Sequence, residues 1–225
     1  MKLTYKELEI ELELAGLLAV EELVLTQGLN CHAGLTLKIL IEEEQRDELV
    51  TMSSDAGVTV RELEKTNGQV VFRGKLETVS ARRENGLFYL YLEAWSYTMD
   101  WDRVKKSRSF QNGALTYMEV AQRVLSGYGQ SGVTDHATGG ACIPEFLLQY
   151  EESDWVFLRR LASHFGTYLL ADATDACGKG DLASRRSLMA QFLTGRTTRW
   201  RRICSIMRAC WKKRVCFPRR LPAGM

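Results

Sequence analysis

Residues 7–14, ELEIELEL, alternate strictly between acid and apolar. In an extended chain successive side chains point to opposite faces, so Leu8, Ile10, Leu12 and Leu14 share one face and four glutamates the other, the pattern of a half-buried strand. LTLKILIE at 35–42 repeats the period with Leu35, Leu37, Ile39 and Ile41 inward, after a turn around Gly28, Asn30 and Gly34. From residue 69 to 99, QVVFRGKLETVSARRENGLFYLYLEAWSYTM reads as two strands joined at Asn85-Gly86, because a type I′ hairpin turn needs positive φ at both central residues. The second arm is apolar on both faces. Phe88, Leu90, Leu92 and Ala94 lie on one face and Leu87, Tyr89, Tyr91 and Trp95 on the other, which predicts a strand covered from both sides.

After RSFQNG the period becomes helical. Thr116 followed by Glu119 fits a capping box, Met118, Ala121, Val124 and Leu125 form an apolar stripe, and Gly127 suits the C′ position, so a helix of about three turns is expected. A glycine-rich connection from Gly127 to Gly140 follows, then IPEFLLQY reads as a strand. In ESDWVFLRRLASHFGTYLLAD, Ser153 is the N-cap, Asp154 complements the helix dipole in the first turn, and Gly166 ends the helix. Trp155, Leu158, Leu161, Ala162 and Phe165 make one broad apolar face, Arg159, Arg160 and Ser163 point away, and TYLLAD returns to strand.

A chain of 225 residues with 45% hydrophobic and 26% charged residues is long enough for one large or two small domains with a buried core. No apolar run approaches the roughly 20 residues of a membrane helix, so stable membrane insertion is not expected. The N-terminus lacks the apolar region of a signal peptide, which predicts synthesis and residence in a cytoplasm. The net charge of +2 conceals a break. Residues 177–225 hold 13 basic and 1 acidic residue (+12), leaving 17 basic and 27 acidic residues (−10) in 1–176. Cys31 and Cys142 read as ordinary small buried or half-buried residues, while Cys177, Cys204, Cys210 and Cys216 belong to the basic segment.

Candidate chemistry is sparse. His32, His136 and His164 are scattered without ligand spacing, and His164, beside the core stripe, reads as a structural histidine with a satisfied hydrogen bond. Asp135-His136 has no matching nucleophile, and GYGQSG at 127–132 lacks the Lys-Ser/Thr of a phosphate loop. No catalytic, cofactor-binding or metal residue is assigned, and no enzyme activity is expected. Basic residues with Trp200, Trp211 and Phe217 raise the alternative of a nucleic-acid-binding module. A cell-wall hydrolase is a further alternative, but no paired-acid or metal constellation stands at usable spacing. The basic segment has no helical or alternating period and is rich in Arg, Cys and Trp, as an out-of-frame read of a GC-rich gene would be. With codons chosen freely outside Trp and Met, back-translation of 179–217 and a shift of frame can be made to read as an acidic, patterned sequence, and 177–225 is expected to be out of frame and disordered.

LLQYEESDWVFLRRLASHFGTYLLAD resembles the "QYRETDWxFLxRLAxxxG" element of the phage late control D family, the hub proteins of contractile tails and related injection systems, including the N-terminal part of type VI spike proteins. Gln149, Tyr150, Glu152, Asp154, Trp155, Phe157, Leu158, Arg160, Leu161, Ala162 and Gly166 match, whereas Glu151 replaces the usual Arg and Ser153 the usual Thr. RSFQNGALTYMEVAQRVL and the hairpin ending AWSYTMDWDR resemble further family segments, and the resemblance covers about 1–175.

The resemblance implies a mainly β fold with helical insertions (α+β), built as tandem β-barrel-like hub domains. These are an N-terminal barrel at 1–108, the helix-containing start of a second, incomplete one at 109–176, and the tail. It implies a structural role, with three copies of the complete protein forming a ring and tail tube and spike proteins as partners, and no nucleic acid. The protein would be assembled in a bacterial cytoplasm and then reside in the baseplate of a particle. Packing and assembly would fall to Gln149, Tyr150, Glu152, Asp154, Trp155, Phe157, Leu158, Arg160, Leu161, Phe165 and Gly166.

Overall fold

A computed structural model of the chain describes residues 2–12, 17–45, 56–63, 68–144 and 146–183. Seven strands form one antiparallel sheet: β1 (Lys2–Tyr5), β2 (Leu8–Leu12), β3 (Leu17–Thr26), β4 (Gly34–Ile41), β5 (Gly57–Glu62), β6 (Val70–Glu84) and β7 (Leu87–Ser96). Their order is β1-β2-β5-β6-β7-β4-β3, and the sheet curls until β1 lies beside β3, giving a nearly closed barrel. Strict alternation puts every second side chain inside. Leu8, Ile10, Leu12, Leu35, Leu37, Ile39, Ile41, Phe88, Leu90, Leu92 and Ala94 are all buried there, as the sequence predicts. Leu14 of the first predicted row lies outside the described residues. Asn85 (φ 52°) and Gly86 (φ 85°) make the predicted two-residue hairpin loop between β6 and β7.

The outer face of β7 is covered by the protein's own polar side chains. Lys38 Nζ lies 4.1 Å from the centroid of the Tyr89 ring and bonds Glu84 at 2.8 Å and Glu21 at 3.3 Å. Tyr89 and Tyr91 donate to Glu21 and Glu84 respectively. A lysine stem is apolar along most of its length, so this lid leaves Tyr89 only 7% exposed. Leu87, at the hairpin tip beyond its reach, is 50% exposed, so the expected cover on both sides holds for the tyrosines and not for Leu87.

A 3-10 helix (Tyr97–Asp102) leads to a second hydrophobic cluster. Here β8 (Lys105–Phe110) pairs antiparallel with β10 (Leu147–Ser153), and β11 (Tyr168–Asp172), β12 (Lys179–Ala183) and β9 (Gly132–Asp135) form a sheet in the order β11-β12-β9. Two helices, α1 (Tyr117–Leu125) and α2 (Asp154–Ser163), pack against them. The Thr116–Glu119 capping box is present with both of its bonds. β8 spans the division expected at 108/109, and Phe110 packs in the second cluster. The disorder expected from residue 177 does not hold at the start of the basic segment: 177–183 are described, and 179–183 form β12 with Leu182 and Ala183 buried, because this strand pairs with β11 and β9; 184–225 lie outside the described residues.

Several expectations need correction. The glycine-rich connection contains β9, whose parallel pairing with β12 joins distant segments and leaves no local signal. IPEFLLQY enters the strand only at Leu147, after Pro144. Met118 is half-buried, and the α1 stripe includes Val120; α2 likewise buries Phe157, because both helices are enclosed on more than one side. Gly127 follows the Ser126 C-cap without the left-handed conformation a C′ glycine usually supplies. Cys31 and Cys142 are exposed, Cys31 in the β3–β4 loop and Cys142 in an isolated bridge to Thr116, neither on the inward side of an element.

Close packing is most demanding at Gly74, where a Cβ would stand 2.2 Å from the carbonyl oxygen of Trp95. Gly74→Ala is expected to destabilise the protein by about 2–3 kcal/mol by forcing β6 from β7. Gly113→Ala, at a site with nothing within 4 Å, leaves the urea midpoint nearly unchanged. Equilibrium denaturation of the two variants checks this.

Candidate functional site

The element 147–172 is organised around one carboxylate. Ser153 caps α2, its Oγ accepting from the Val156 amide at 3.2 Å, and this places Asp154 in the first turn. Asp154 is 0% exposed. Arg108 Nη2 donates to Oδ1 at 2.6 Å and Gln149 Nε2 to the same oxygen at 2.8 Å. Lys106 Nζ and the Tyr128 hydroxyl donate to Oδ2, each at 2.7 Å. The donors come from β8, β10 and the turn after α1, so one side chain ties four elements together. A buried charge without partners costs several kcal/mol, and here two cations and two neutral donors answer it.

The electrostatics agree from both sides of the pair. Burial alone raises the Asp154 carboxyl, but the bonds from Lys106, Gln149 and Tyr128 and the charge of Arg108 outweigh it and hold the group below the ordinary carboxylate range. Burial pulls the Lys106 ammonium down, and its bonds to Asp154 and Tyr128 carry it above its usual value. Arg108 also donates to the Val124 carbonyl at 3.3 Å, near the C-terminal end of α1 where a cation is favoured.

A second junction joins the β3–β4 loop to this element. The His32 ring lies 4.0 Å from that of Trp155, its Nδ1 is 3.0 Å from Thr98 Oγ1, and its Nε2 is 3.5 Å from Asp102 Oδ2. The other Asp102 oxygen accepts from the Ser153 hydroxyl. Asn30, in left-handed conformation, exchanges two bonds with Leu169. Its N–H donates to the Leu169 carbonyl at 2.9 Å, and its Oδ1 accepts from the Leu169 N–H at 2.9 Å. Gln27 donates to the Ala171 carbonyl at 2.8 Å. The loop thereby covers the edge of β11 much as another strand would.

His32, Asp102 and Ser153 are the residue types of a nucleophile triad, but their connections are those of a structural fastener. Asp102 stands between serine and histidine, and Ser153 Oγ is engaged as a helix cap, so the imidazole does not reach the hydroxyl as it does in a nucleophile triad. Asp135 accepts from the Ala137 and Thr138 amides and the Thr138 hydroxyl, closing a turn and not facing a nucleophile. His164 Nδ1 pairs with the Tyr117 hydroxyl at 2.9 Å, the satisfied bond expected of it. Among the described residues no group of three or more His, Cys, Asp or Glu side chains is placed to hold a metal ion.

The residues singled out from sequence differ in where the fold places them. Gln149, Asp154, Trp155, Phe157, Leu158 and Leu161 are core. Phe165 is half-buried, edge-on to Tyr117 at 4.7 Å, and Gly166 (φ 59°) turns the chain out of α2. Glu152 and Arg160 pair at 2.5 Å, and Arg160 Nη2 also donates to the Leu148 carbonyl at 2.5 Å. Tyr150 stands apart at 70% exposure, in line with Leu148 (43%) and Phe146 (51%) on the outward side of β10. The sequence reading missed the inward charges, although Lys106, Arg108 and Phe110 recur every second residue and so carried the signal of one shared face.

Removing the buried carboxylate's charge leaves Arg108 and Lys106 without their counter-ion, so Asp154→Asn is expected to cost about 3–5 kcal/mol in chemical denaturation. His32 sets a pH dependence. Burial holds its imidazole below the ordinary value of 6.5, against the raising pull of Asp102 and with Arg159 adding to the depression. The fold therefore favours the neutral ring, while the unfolded chain takes up a proton near 6.5. This contribution is intact above that pH and is lost as pH falls below it. Urea midpoints measured between about pH 7 and 5 are expected to fall less steeply in His32→Gln.

Comparison with known proteins agrees with this architecture. The family model described as phage tail baseplate hub (GPD) matches residues 35–200. No curated protein sequence matches. The 43 kDa tail protein of prophage MuSo2 from Shewanella oneidensis is similar in structure, with a TM-score of 0.60 and 14% identity over 80% of this chain and 56% of that one. The tail protein of Neisseria meningitidis MC58 gives 0.59 at 12% identity, covering 78% of this chain and 50% of that one. E. coli c3393, a type VI secretion component similar to T4 tail proteins gp27 and gp5, gives 0.55 at 13%, covering 76% and 48%. The chain thus spans about half the length of these proteins, and at such identities the likeness shows the fold. With a family model matched over most of its length, the chain belongs to the phage tail baseplate hub (GPD) family.

Proposed function

We propose that this protein is a structural subunit of the baseplate hub of a contractile tail or related injection particle, where three copies form a ring between tail tube and spike. The observation that carries this reading is the organisation of 147–172. Its polar groups are consumed in fastening a strand–helix–strand element to its neighbours, while its outward strand face stays apolar. That is the construction of a rigid support and not of a reaction cleft. The two hydrophobic clusters correspond on this reading to two successive hub domains. The protein carries no catalysis of its own, assembles in the cytoplasm and then resides in the particle.

Nucleic-acid binding through the basic segment is the weaker reading. The residues it needs lie outside the described residues, and the first 176 residues are net acidic, which repels phosphate. An out-of-frame origin accounts for the composition of that segment after Ala183 more simply. An independent nucleotide read of the gene beyond codon 165 is expected to show a frame that continues into acidic, alternating sequence.

The location is tested on particles carrying a tagged copy of the chain. Gold-labelled antibody is expected at the junction of tube and spike, and label along the sheath or at the fibres overturns the proposal. Light scattering of the purified full chain is expected to give three times the 25.6 kDa chain mass.

A further inference from the structure

Successive outward positions before and along β10 are Phe146, Leu148 and Tyr150, all large and all exposed. An outward row of a ribbon in water is ordinarily polar, as it is on the paired strand, where the exposed positions are Lys105, Ser107 and Ser109. Exposed apolar groups set in line mark an interaction surface more often than scattered ones do. The surface is also held stiff. Arg160 reaches from α2 to the Leu148 carbonyl and to Glu152, so the backbone beneath the row is pinned to the helix that packs on the core.

Charge distinguishes what fits there. Lys105 on β8 and Arg159 on α2 are exposed and form no ion pair among the described residues. A complementary surface exists elsewhere on the same chain. At the barrel closure β1 lies between β2 and β3, so the outward glutamates of those two strands flank one continuous outer surface. Glu9 pairs with Lys2, Glu11 with Arg61 and Glu21 with Lys38, whereas Glu22 on β3 and Glu7, in the turn between β1 and β2, form no ion pair among the described residues. Leu18, on the outer side of β3, is exposed between them and the start of the strand.

We propose that the outward face of the β8–β10 ribbon is the seat of a second copy of this chain, which presents the acidic outer surface around β1, β2 and β3. The apolar row supplies the buried centre of the contact, and Lys105 and Arg159 meet Glu7 and Glu22 at its rim. Because the two surfaces differ, the contact is head-to-tail, the kind that closes into a ring when the rotation allows. This rests on the proposed self-assembly and assigns its surfaces.

Sedimentation of the full chain over a concentration series tests the assignment, with circular dichroism confirming that each variant folds. Leu148→Asp with Tyr150→Asp, both at exposed positions, is expected to weaken association at least about tenfold. Lys105→Glu with Arg159→Glu weakens it as well, and adding Glu7→Lys and Glu22→Lys to that chain restores it. If the wild-type chain associates and L148D/Y150D associates equally well, the ribbon face is not the seat, while self-assembly stands. If charge reversal weakens association and the swap does not restore it, the acidic surface is not the counterpart. A wild-type chain that stays monomeric throughout the series overturns this assignment and the self-assembly together.

Discussion

The second half of this fold depends on a negative charge that has been taken out of water. Asp154 is buried at the start of a helix, where the exposed amides of the first turn already favour an anion, and it stays ionised because Lys106, Arg108, Gln149 and Tyr128 converge on it. Each donor belongs to a different position in the chain, so the need to satisfy one carboxylate constrains the register of β8 against β10, the placement of α2 and the turn after α1. A purely apolar centre would tolerate small slips among these elements. A buried ion does not, because any slip leaves a charge or a donor unmet.

From that fastening the other contacts follow outward. Ser153 both caps α2 and donates to Asp102, and Asp102 in turn faces His32, whose ring rests on Trp155. The β3–β4 loop continues to β11 through Asn30 and Gln27. The barrel and the second cluster are thus linked through polar contacts at places where the backbone would otherwise present an open strand edge. The surplus apolar surface is left on the outward side of β10, where the core has no use for it.

Much of the barrel was legible because its strands obey a strict period of two. The inward rows of β2, β4 and β7 and the Asn85-Gly86 turn follow from the backbone geometry that any extended chain must adopt. The helix caps at Thr116 and Ser153 were legible for the same reason, since capping is a local exchange of hydrogen bonds. The candidate site was legible only in part. Its aromatic and aliphatic members read as core, but Asp154 reads from sequence only as a first-turn acid complementing the helix dipole, and Tyr150 as one more member of a motif.

The sequence by itself determined the inward rows of β2, β4 and β7, the hairpin turn and the two capped helices, because these depend on interactions among residues close in the chain, and its motifs carried the family. Tertiary structure alone decided that β9 pairs with β12, that the polar row Lys106–Arg108 faces inward, that His32 sits against Trp155 and that the outward row of β10 is bare. Each of these joins segments dozens of residues apart, and a buried charge or an exposed ring is defined by what the rest of the chain brings beside it.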